Sequence, residues 1–111
     1  MFELYILKDK KVAIAETYQE WVNFFYSKER IIAKTSFVKG DNNIEVSTVF
    51  VCVPNIDNTL FETMIFADGD SAYRETHSTY EEAEQYHKAI VKYIENEVNG
   101  DNHIITELKR I

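Results

Sequence analysis

Ile44-Glu45-Val46-Ser47-Thr48-Val49-Phe50-Val51-Cys52-Val53 is the longest strand-like run in the chain, and Pro54 closes it. Residues of this kind suit a pleated, half-buried surface, and proline cannot donate to a ladder. Ahead of this run, Ile31 to Val38 alternates loosely, and Gly40-Asp41-Asn42-Asn43 supplies a turn. The two runs are therefore expected to pair as an antiparallel hairpin. Beyond Pro54, Asn55-Ile56-Asp57-Asn58 reads as a loop and Leu60 to Ala67 as a further strand. Asp68-Gly69-Asp70 makes the next turn, and Ala72 to His77 returns as another strand.

The flanking segments complete the outline. Phe2 to Leu7 and Val12 to Ala15 flank Lys8-Asp9-Lys10-Lys11 and predict a β-hairpin. Thr17 and Glu20 fit a capping box, and Trp21, Val22, Phe24 and Phe25 form one side of a short helix ending near Ser27. Ser78 or Thr79, with Glu81 or Glu82 three residues on, caps a long helix. Its residues Ala83, His87, Ile90, Ile94 and Val98 share one face, and Asn99-Gly100 ends it. Ile104 to Ile111 fits either a strand or a short helix. The expected architecture is a single α+β domain over residues 1–111. It is a mostly antiparallel sheet with a short N-terminal helix and a long C-terminal helix packed on it. Short connections between strands argue against a parallel sheet.

Composition narrows the function. Seven tyrosines, seven phenylalanines and one tryptophan in 111 residues mark a globular chain. The single cysteine, Cys52, cannot form an intrachain disulfide and sits in an apolar strand, as a buried thiol would. A formal net charge of −7 disfavours direct nucleic-acid binding and permits a basic protein partner. No apolar run reaches membrane-span length, and the N-terminus lacks a secretory pattern, so a cytoplasmic setting is expected.

Strand parity suggests a partner of another kind. Val46, Thr48, Phe50 and Cys52 face one way, and Ser47, Val49, Val51 and Val53 the other. Neither set is uniformly polar, so this strand is expected to be central and covered on both sides. Covering both faces of so small a domain suggests a homodimer; an exposed face with scattered apolar residues is the competing reading.

Among ionisable residues, His87 stands out on the apolar face of the long helix. With Ser47 and Glu62 it would complete a hydroxyl–imidazole–carboxylate set for a small hydrolase. No sharp nucleophile turn surrounds Ser47, however, and mid-strand side chains are poorly placed for an oxyanion site. The favoured reading is a buried polar network of Ser47, Thr48, Glu62, Thr63 and His87 that fixes strand register, with Glu62 accepting hydrogen bonds. No catalytic residue is assigned. His77, His87 and His103 are too widely spaced for a metal motif, the three glycines form no phosphate loop, and no cofactor is expected.

Val46-Ser47-Thr48-Val49-Phe50, then Leu60-Phe61-Glu62-Thr63-Met64-Ile65-Phe66, then Tyr80-Glu81-Glu82-Ala83 leading to His87, form an ordered series. With the Glu20-Trp21 pair, the series resembles a group of small proteins encoded by bacteriophages and prophages. Members often follow the first motif with Leu-Gly-Leu-Asp-His. Here that stretch is Val51-Cys52-Val53-Pro54-Asn55, which lacks both the acid and the histidine and lowers the case for an enzyme. The resemblance implies a phage or prophage product acting in the bacterial cytoplasm. The leading expectation is a non-enzymatic accessory protein that modulates a host process. A counter-defence form would present Glu81, Glu84 and Glu95 to a basic host protein. The alternative is a protein sequestering a small nucleotide signal in a pocket at a dimer interface, with Arg30, Lys34, Lys39 and Arg74 as cationic contacts.

Overall fold

The computed structural model describes residues 3–100 and 107–110, with side chains described over 3–97. The hairpin β1 (Tyr5–Lys8) and β2 (Lys11–Ile14) forms a small sheet of its own. Helix α1 (Tyr18–Phe25) and a 3-10 turn (Lys28–Arg30) lead into β3 (Ile31–Lys39) and β4 (Asn42–Phe50). After a ten-residue connection come β5 (Phe61–Ala67), β6 (Asp70–His77), α2 (Tyr80–Gly100) and β7 (Glu107–Arg110). The main sheet runs β6-β5-β4-β3-β7, antiparallel throughout, which makes β4 the central strand. The α+β architecture expected from the pattern is the one observed.

Local chemistry sets the element ends. Thr17 caps α1 by accepting the Glu20 amide at 3.0 Å, and the Glu20 carboxylate accepts the Glu16 amide at 2.8 Å. Thr79 and Glu82 make the matching box at α2: Thr79 accepts the Glu82 amide at 3.1 Å, and Glu82 accepts the Thr79 amide at 3.2 Å. Asp68 (φ 51°) and Gly69 (φ 87°) both take positive φ, the conformation of a two-residue turn whose twist matches its strands. β6 consequently starts at Asp70, two residues before the expected Ala72. β4 ends at Phe50 rather than at Val53, because Cys52 has φ 68° and turns the chain out of the sheet. The C-terminal ambiguity resolves to a strand over Glu107–Arg110; residues 104–106 and 111 of the expected element lie outside the described residues.

Both described helices pack on one face of the main sheet. Two apolar clusters fill the space beneath them. Ile6, Phe24, Phe50, Cys52, Phe61 and Ala83 form the first, with Trp21 and Tyr80 packed against it. Phe37, Val46 and Val91 form the second, flanked by Ile44, Ile65, Ile90 and Ile94. Phe24 meets Phe50 and Phe50 meets Phe61 edge to face, at centroid distances of 5.9 and 5.3 Å. Aromatic burial of this kind dominates core energetics at about 1.5–3 kcal/mol per side chain. Val91, absent from the apolar stripe read in the sequence, is one of the least exposed residues in α2.

Candidate functional site

Between the two apolar clusters lies a belt of hydrogen-bonded polar side chains. On β4, Thr48 sits between Val46 of one cluster and Phe50 of the other; on β5, Thr63 sits between Phe61 and Ile65. On α2, His87 sits between Ala83 and Val91. Thr35 of β3 and His77 at the end of β6 extend the belt to either side. All five side chains are buried.

The contacts are continuous. Thr35 Oγ1 lies 2.9 Å from His87 Nε2, and His87 Nδ1 lies 2.7 Å from Thr48 Oγ1. Thr48 and Thr63, directly opposite across β4 and β5, bring their hydroxyl oxygens to 2.7 Å. Thr63 Oγ1 then lies 2.9 Å from His77 Nε2. Each contact needs one proton, which constrains the whole chain. With both rings neutral, one arrangement uses every hydroxyl proton inside the belt: Thr35 donates to His87 Nε2, His87 Nδ1–H to Thr48, Thr48 to Thr63, and Thr63 to His77 Nε2. If His87 instead carries its proton on Nε2, Thr48 must donate to His87, Thr63 to Thr48, and His77 Nε2–H to Thr63. One combination of tautomers fails: His87 protonated on Nε2 with His77 protonated on Nδ1 sets lone pairs against each other between Thr48 and Thr63.

The surroundings tune one end. The His77 ring stacks on Tyr86 at a centroid distance of 4.7 Å. Burial pushes the His77 imidazole below the usual histidine range, opposed by the nearby charges of Glu75 and Glu82. Among the described residues, no buried side-chain nitrogen or oxygen lacks a hydrogen-bond partner.

The belt includes only part of the expected network. Thr48, Thr63 and His87 are in it. Ser47 and Glu62 are not, because alternation puts them on the opposite face of the sheet, Ser47 facing Lys34 and Met64 in register and Glu62 facing Val49 and Thr76. Glu62 instead receives Arg74, with Nε at 2.9 Å and Nη2 at 2.8 Å. A hydrolase built on Ser47, Glu62 and His87 is therefore excluded by geometry, since the sheet separates two of the three from the imidazole. Thr35 and His77 were missed from sequence. Their signal was cross-strand: once the hairpins are in register, Thr48 faces Thr63, and Thr35 lies beside them on the same face.

The remaining candidates are dispersed. Glu81 is exposed and Glu84 and Glu95 are half-buried along one flank of α2, with Lys88 and Lys92 exposed on the same flank. Three of the four cations read as nucleotide contacts are engaged separately: Lys34 pairs with Glu45 at 3.6 Å, Arg74 with Glu62, and Arg30 lies over the Phe25 ring at 5.4 Å. Among the described residues, no three metal-ligating side chains come together; His103 lies outside them. Burial pushes the Cys52 thiol up to about 11, against a small opposing effect of Arg30. No described helix is long and apolar enough to cross a membrane. No protein-family model, curated protein or solved structure matches this chain.

Proposed function

We propose that this is a non-enzymatic binding protein that acts through its surface. One observation carries the reading: the residues with chemical potential, Thr35, Thr48, Thr63, His77 and His87, are sealed inside the domain and committed to one another. A buried, mutually satisfied set of this kind specifies structure. Apolar patterning fixes which face of β4 is inward, but a shift by two residues keeps that parity. The belt removes this degeneracy, because a two-residue slip would set Thr48 against an apolar partner and break its hydrogen bond with His87.

The resemblance to phage and prophage products supports an accessory role on a host protein in the bacterial cytoplasm. The flank of α2 bearing Glu81, Glu84 and Glu95 is the proposed contact. Lys88 and Lys92 interleave with these carboxylates. Alternating charge suits a shaped protein surface better than it suits imitation of a uniform phosphate backbone. The test is recovery of a stoichiometric host protein with the chain expressed in bacteria, repeated with Glu81→Lys, Glu84→Lys and Glu95→Lys combined. Loss of the partner from a folded triple variant supports the reading. Undiminished binding overturns the assignment to this flank, and hydrolytic turnover abolished by Thr48→Val would overturn the non-enzymatic reading.

A further inference from the structure

We propose that the open face of the main sheet binds a second copy of this chain, in a two-fold dimer whose protomers each insert Ile56 into a groove on the other. This contact is separate from the α2 flank and stands or falls independently of it.

The face opposite the helices carries Val38, Val49, Met64 and Phe66, all half-buried. Among the described strand residues of this face, Lys34 pairs with Glu45 at 3.6 Å and Arg74 with Glu62 at 2.8 Å. In a chain of net charge −7, pairing the charges of these strands lessens the repulsion between two like-charged copies that meet here, with Asp57 of the neighbouring loop left as an exposed acid.

The two ends of this face differ in shape. At the β4–β5 end, the loop over 54–59 forms a lip tied to β6 side chains of this face. The Asn55 amide donates to the Thr59 carbonyl and the Asn58 amide to the Asn55 carbonyl, each at 2.8 Å. Arg74 Nη2 donates to Asn55 Oδ1 at 2.9 Å, and the Thr76 hydroxyl donates to Asp57. Ile56, within this loop, is fully exposed at 110%. Holding an aliphatic side chain in water on a fixed loop lowers the ordering cost of inserting it elsewhere. At the opposite end of the strands, Ser36, Val38, Asn43, Glu45 and Phe66 of this face line a groove of about 470 Å³.

A lip and a groove at opposite ends of one face are self-complementary. A two-fold axis lying between the sheets, perpendicular to the strands, places each lip over the partner's groove, and so makes two identical insertions. The sheet spans about 600 Å² in projection, taking strands about 4.8 Å apart and about 3.3 Å per residue, with β3 to β6 seven to nine residues long and β7 four. A stable interface needs about 800 Å² per partner, and the inserted loops supply the remainder.

Sedimentation equilibrium of the full chain tests this. The expected result is a species of twice the 13.0 kDa chain mass, tightening as salt screens the like net charges. Ile56→Asp, at a site too exposed to affect folding, is expected to weaken dimerisation at least about tenfold, as loss of a central anchor does. Tyr26→Asp, another change at an exposed apolar side chain, on the helical side, is expected to leave it unaltered. A monomer up to about 100 µM, well above the micromolar limit usual for such an interface, overturns the proposal. So does a dimer that Ile56→Asp leaves intact.

Discussion

Thr48 and Thr63 face each other across β4 and β5 with their hydroxyl oxygens 2.7 Å apart, and through this contact the two buried histidines communicate. Thr48 Oγ1 also reaches His87 and Thr63 Oγ1 reaches His77, so each hydroxyl serves two neighbours. Removing either interrupts the belt at its centre.

Thr48→Val is nearly isosteric and leaves His87 Nδ1 and the Thr63 hydroxyl short of a partner. The expected cost is about 1–3 kcal/mol, the range for a buried polar group left unsatisfied. Thr63→Val should cost a similar amount by stranding His77. The double variant should lose less than the sum, since the two changes share one contact. Urea unfolding of the three variants checks this; strict additivity would show that the hydroxyls act independently.

Acid should weaken the fold through His77. Its folded-state pKa is depressed by burial, so between that value and the unfolded value of about 6.5 the unfolded chain binds more protons. Stability is then fully present above about pH 6.5 and falls as pH drops through the folded value. The charges of Glu75 and Glu82 moderate the effect. Thermal unfolding from pH 7.5 downward should show this loss, and His77→Gln should flatten it.

Cys52 should resist thiol reagents at neutral pH. Its side chain is fully buried and its pKa is raised to about 11, so the reactive thiolate is scarce and inaccessible. Its labelling rate should follow unfolding and rise steeply in urea. Rapid labelling of the native protein would mean that the segment around Cys52, which also accepts Trp21 Nε1–H at its carbonyl, opens freely.

Asp57 holds the 51–60 connection to β6. Hydrogen bonds from Thr59 and Thr76 lower its pKa, in that order of effect. Asp57→Ala should leave the global unfolding midpoint nearly unchanged and expose the loop to proteolysis severalfold faster. Unchanged cleavage would show that Arg74 and Asn55 fix the loop without it.

Most of the fold was legible in local pattern. The Gly40 turn, the capping residues Thr17 and Thr79, and the β-branched runs all act over a few residues, where side-chain chemistry dictates conformation. The strand end at Cys52 was not legible, because a positive φ at a non-glycine residue is imposed by tertiary contacts. Half of the site was legible for a related reason. His87, Thr48 and Thr63 announced themselves as polar residues on apolar faces, whereas Glu62 was misplaced because an acid between apolar neighbours looks buried on either face. Only the pairing of strands decides: it sets Glu62 opposite Thr76 on the face away from the helices, where Arg74 reaches it diagonally. Thr35 and His77 needed three-dimensional pairing to be seen at all.

The belt forbids one combination of tautomers: His87 protonated on Nε2 together with His77 protonated on Nδ1. Nitrogen-15 NMR of the histidine rings at neutral pH reads this directly. A sealed belt predicts that this combination is absent, that both protons sit on Nδ1 where every hydroxyl proton stays in the belt, and that the His87 ring N–H exchanges slowly with water. His87 protonated on Nε2 beside His77 protonated on Nδ1, or a His87 ring proton that exchanges as fast as a surface histidine's, would contradict a sealed structural belt and return the interior to consideration as a working site.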